Sequence, residues 1–108
     1  WFPLGIEVLR HKTEVLERYC EEIGRDPATI TRTMAAPVLL VSDEREGEAR
    51  LARIPPERRG SLVAATPTRA AEIIAEYVEA GFGGFTFGNT MLPGESLDLA
   101  AELIRSFA

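Results

Sequence analysis

Apolar positions recur at helical spacing in several stretches of the chain and gather into short unbroken runs in others. Over 5–23, Ile6, Leu9, Leu16, Cys20 and Ile23 fall on one helical stripe, with Glu7, Arg10, Lys12, Glu14, Glu17, Arg18 and Glu21 on the other face. Glu14 and Arg18 have the i, i+4 spacing of an ion pair. Gly24 predicts the helix end, and Asp26-Pro27 predicts a capped new turn. Residues 31–41 read as a strand. Its second half, Val38-Leu39-Leu40-Val41, is a continuous run of the kind that strands covered on both faces carry. Pro37 predicts a bulge, or pairing that begins only after it.

Ser42-Asp43 predicts the cap of a charged surface helix over 44–53, which Pro55-Pro56 ends. Residues 57–65 read as a short helix or loop around Leu62 and Val63. Thr66-Pro67 is the strongest start signal, a hydroxyl followed by proline at the first helical position. The helix it opens presents Ala70, Ile73, Ile74, Tyr77 and Val78 on one face and ends at Gly81. Gly84-Phe85-Thr86-Phe87 reads as a buried strand ending at Gly88-Asn89. A helix over 96–107 is expected to bury Leu97, Ala100, Ala101, Ile104 and Phe107.

Helices alternating with short two-sided strands indicate an α/β chain built from parallel βαβ units. Two strands cannot bury that many helical stripes, since independent stability generally needs three or more. The chain also begins at Trp1-Phe2-Pro3 without a methionine. Together these features lead to the expectation of one partial domain belonging to a larger protein.

Charge and composition narrow the function. A net charge of −5, with 12 basic and 17 acidic residues, argues against nucleic-acid binding. No apolar run is long enough to span a bilayer, so no membrane partner is expected. The single cysteine permits neither an internal disulfide nor a zinc cage and suits a cytoplasmic protein. His11 lies between Arg10 and Lys12 on the polar face, and Cys20 lies on the apolar stripe. Solvated and buried roles account for them, leaving no nucleophile–base pair and no catalytic residue to name. The glycines around 81–88 follow a helix and flank a strand, the reverse of a phosphate-loop order. Position alone singles out the carboxyl ends of the strands, where parallel sheets bind ligands: Ser42-Asp43 after the first, Phe87 to Thr90 after the second. The opening N–H groups of the Thr66-Pro67 helix are a further anion-facing position, although capping accounts for that pair as well.

One resemblance adds to this. Glu7-Val8-Leu9-Arg10-His11-Lys12, Val15-Leu16 and Cys20-Glu21-Glu22-Ile23-Gly24-Arg25-Asp26-Pro27 resemble the sixth helix of luciferase-like monooxygenases, in the branch that uses the deazaflavin coenzyme F-420. Thr66-Pro67, Tyr77-Val78-Glu79-Ala80-Gly81-Phe82 and Gly84-Phe85-Thr86-Phe87 look like that family's seventh helix and eighth strand, with Gly83 in place of a frequent acidic residue. The resemblance implies the C-terminal part of a (β/α)8 TIM barrel: helix 6, strand 7, helix 7 with an extra surface helix, strand 8 and helix 8. It implies a parent oxidoreductase that transfers hydride or inserts oxygen on a small organic substrate, with coenzyme F-420 or, alternatively, FMN. By match to the strand ends, Trp1, Phe2, Gly88 and Asn89 would border the ring pocket. The segment alone is expected to be inactive, and a homo-oligomer is expected. The alternative is a non-catalytic module that self-associates through exposed sheet edges.

Overall fold

The computed structural model describes residues 5–87 and 95–107. Its elements in chain order are α1 (Ile6–Ile23), a 3-10 turn (Pro27–Thr29), β1 (Thr33–Ala35), β2 (Val38–Leu40), α2 (Glu44–Leu51), α3 (Pro56–Arg59), β3 (Val63–Ala65), α4 (Pro67–Glu79), β4 (Gly84–Thr86) and α5 (Glu95–Arg105). The chain is α/β, and every strand pairing described is parallel.

The segment read as one strand is split by its proline, and the halves take different partners. β1 pairs with β4, Met34 beside Phe85, and β2 pairs with β3, Leu39 beside Ala64. The Arg32 carbonyl accepts from the Gly83 N–H at 2.9 Å, and the Ala36 N–H donates to the Thr86 carbonyl at 2.8 Å. On the other edge, the Pro37 carbonyl accepts from the Val63 N–H at 3.0 Å, and the Val41 N–H donates to the Ala65 carbonyl at 3.1 Å. Even-numbered residues thus turn their backbone groups to β4 and odd-numbered ones to β3. β1 and β2 follow each other across a bend at Pro37, and each pairs with its own neighbour, giving two two-stranded parallel sheets. The N–H that Pro37 lacks would point to the β3 side before that ladder begins, so no sheet bond is lost. The expected delay in pairing after Pro37 therefore holds on the β3 edge.

β3 itself was not expected. Where a short helix or loop was read around Leu62 and Val63, the chain makes α3 and then a strand. Val63-Ala64-Ala65 is too short and too poor in large side chains to announce itself. Tertiary pairing with the apolar β2 run decides its conformation.

The two faces of the β1–β2 segment are buried differently. Ala36, Val38 and Leu40 pack with Ala65, with Ala70 and Ile74 of α4, and with Leu103 of α5. Met34 joins Leu9 of α1, Tyr77 and Phe82. On the opposite face Leu39, Val41 and Ala64 meet Leu51 of α2. Further down that second face, Thr33 and Thr86 are exposed and Ala35 and Gly84 half-buried.

Local signals placed the helix ends. Gly24 ends α1 in the left-handed region at φ 72°, as expected for a C-cap glycine. The Asp26 carboxylate accepts from the Ala28 N–H at 3.0 Å, and Asp43 accepts from the Arg45 N–H at 2.9 Å. Helix faces were less well foreseen. Ile23, assigned to the α1 stripe, is 74% exposed, while Thr13 is buried in its place. Glu14 lies 4.0 Å from His11, and no ion pair joins it to Arg18. In α5, Leu103 turns to the core, whereas Leu97, Ile104 and Phe107, all expected inside, are exposed. α5 packs on α4 and β2, and that contact selects a different face from the one the apolar residues suggested.

Candidate functional site

Parallel strands bring their carboxyl ends to one side of a sheet, and ligands collect there. Here those ends are stepped. β4 ends beside Ala36, while β3 ends beside Val41. Four residues lie between these points and Pro37 bends the chain among them, so the step is shorter than the ~16 Å that fully extended chain would span at ~3.3 Å per residue. β2 and β3 therefore project past the exit of β4. The β2 edge that faces away from β3 carries no strand among the described residues. Phe87, half-buried, leaves the ladder at the foot of this step.

The top of the step is made by the starts of two helices. α2 begins with Asp43, whose carboxylate is engaged in capping. α4 begins with Thr66 and Pro67, and the Thr66 side chain makes no capping bond, contrary to the capping role read for that pair. Arg69, in the first turn of α4, reaches Glu44 of α2 at 3.5 Å and ties the two starts together. The cation nearest the α4 N-terminus is thus already partnered by a carboxylate.

A second concavity lies on the helical side. α4, β4 and α5 enclose a half-open cleft of about 370 Å3, walled by Ile74, Val78, Phe85, Phe87, Leu103 and Phe107 among others. Among the described residues no ionisable side chain lines it. It can accept apolar surface, and its described lining offers no acid, base or nucleophile.

Trp1, Phe2, Gly88 and Asn89, the residues matched to a ring pocket, lie outside the described residues. His11 is exposed and Cys20 buried, as their places in the pattern indicated. Burial, and then the neighbouring Glu76 carboxylate, push the Tyr77 phenol above its ordinary value of 10.0. Its ring meets Phe82 edge to face, centroids 6.5 Å apart. Phe82, between α4 and β4, is 2% exposed, and the Arg32 guanidinium lies 5.8 Å from its ring centroid. An aromatic residue held between glycines was the available signal. Among the described residues no group of three His, Cys, Asp or Glu side chains could hold a metal ion. No helix described is long and apolar enough to cross a membrane.

Comparison with known proteins adds no relative. The sequence matches no family model, and no curated protein or solved structure matches it either. The geometry and the residues carry the functional reading.

Proposed function

We propose that this chain is the C-terminal βα portion of a (β/α)8-barrel oxidoreductase of the luciferase-like type, whose parent uses coenzyme F-420 or FMN on a small organic substrate. The observation that carries the reading is the β1–β4 ladder. Two parallel strands lie side by side, separated in the chain by β2, α2, α3, β3 and α4, with apolar residues on the helical face and Thr33, Ala35, Gly84 and Thr86 on the other. A barrel strand has this character: helices cover its outer face, and its inner face turns to a lumen. β1 and β2 then stand for strand 7 and β4 for strand 8, in the order the sequence resemblance implies.

β3 and α5 depart from that scheme. β3 falls between β2 and β4 in the chain yet pairs with β2, and α5 packs back over β2 and α4 instead of lying beyond β4, where a further strand and its helix would belong. The described residues suit a flat ring only sterically. Thr33, Ala35 and Thr86 make a shelf of short side chains beside the exit of β4. The redox chemistry would be supplied by the bound cofactor, and these residues would orient it and exclude water.

The test is the longest chain encoded at the locus, titrated with coenzyme F-420 and with FMN while cofactor fluorescence is followed. Saturable one-to-one binding of one of them, and an upstream reading frame with further strand–helix repeats, are the expected results. A chain that binds neither, or a frame without such repeats, would overturn the proposal.

A further inference from the structure

We propose that the outer face of α5 is a homodimer interface, in which two copies of the chain pair their α5 helices antiparallel about a twofold axis. The inference does not rest on the oxidoreductase reading. It starts from burial. α5 turns Leu103 to the core at 3% exposure and leaves Leu97 and Ile104 each 66% exposed. Leu97, Ala101 and Ile104 stand four and three residues apart, the spacing of a helix-pairing seam. Phe107, also exposed, extends the apolar surface to the rim of the cleft between α4 and α5, where Val78 is exposed as well. A contiguous patch of this kind marks an interaction surface, whereas isolated exposed leucines do not.

Charge then identifies the occupant. Asp98 and Arg105 are exposed and follow Leu97 and Ile104 directly, so both lie on the same flank of the seam, two turns apart. In an antiparallel pair, Asp98 of each copy comes opposite Arg105 of the other, giving two symmetric ion pairs. A parallel pair would turn this flank toward the opposite flank of the partner, around Ala100, and form neither ion pair. The face is therefore complementary to itself in one orientation, as an isologous interface must be. The three-residue outer edge of β4 offers a second copy far less.

Sedimentation equilibrium of the full chain tests this. A dimer is expected. Leu97→Glu or Ile104→Glu should weaken association by more than about tenfold, because each buries a carboxylate in the seam. Both positions are two-thirds exposed in the single chain, so circular dichroism should be unchanged. Asp98→Arg and Arg105→Asp should each weaken the dimer, and the double swap should restore it. A chain that stays monomeric at all concentrations, or a dimer that survives both glutamates, overturns the interface. A double swap no tighter than the single variants overturns the antiparallel arrangement.

Discussion

Gly47 shows how much one missing methyl group can matter. It sits within α2, where glycine costs about 1 kcal/mol of helix propensity relative to alanine. A Cβ at this position would lie 2.7 Å from the Ala64 Cβ and 2.9 Å from Val41 Cγ2. The glycine therefore sets how closely α2 approaches the sheet. Gly47→Ala should destabilise the chain by about 1–3 kcal/mol in urea denaturation, since overpacking outweighs the gain in propensity. Tyr77 makes a pH-dependent contribution. Its folded-state pKa is raised, so the neutral phenol binds its proton more tightly when folded. The associated stability is complete below the unfolded value of about 10 and is lost as pH rises from there through the folded value. Denaturation between pH 8 and about pH 11 should show an alkaline loss that Tyr77→Phe reduces.

At the scale of elements, α5 separates propensity from packing. Its apolar residues spread over a wide arc, from Leu99 and Leu103 through Ala100 to Ile104, Leu97 and Ala101, so sequence alone allows more than one buried face. Packing against α4 and β2 selects Leu103 and leaves its neighbour Ile104 outside. Leu103→Ala should then cost about 2–5 kcal/mol, the range for a truncated core leucine. Ile104→Ala should cost no more than about 0.5 kcal/mol in the monomer. Comparable losses for the two would contradict the observed rotation of the helix. β3 makes a parallel point: three small residues become a strand because β2 offers an open edge. α1, in contrast, has its ends written locally, by Gly24 and the Asp26-Pro27 pair that follows it.

The whole molecule is a slab measuring 48 × 34 × 20 Å. Its Cα radius of gyration is 15.3 Å, against about 13 Å for a compact chain of this length. The excess follows from narrow two-stranded sheets, with helices gathered mainly on one face and only α2 on the other. One patch of sheet, around Thr33 and Thr86, and one helical face, around Ile104, remain uncovered. The first supports the barrel reading and the second the dimer. Small-angle scattering addresses the dimer at this scale: association through α5 should raise the radius of gyration clearly above the single-chain value, and Ile104→Glu should bring it back.

The sequence by itself determined the α/β class, most helix boundaries and the existence of the apolar central run. These are set by residues acting on their own neighbours: Gly24 in the left-handed region, Asp26 and Asp43 at caps, Pro67 at a first turn. It also placed His11 in solvent and Cys20 in the core. The four candidate ring-pocket positions, Trp1, Phe2, Gly88 and Asn89, were chosen by resemblance and lie outside the described residues. Only the tertiary structure decided that Pro37 divides one strand between two partners, that Val63-Ala64-Ala65 is a strand, and that Leu103 and not Ile104 faces inward. Each of these depends on a surface supplied by a distant part of the chain. Local pattern can show that a residue is fit to be buried, but a neighbour must be present before it is.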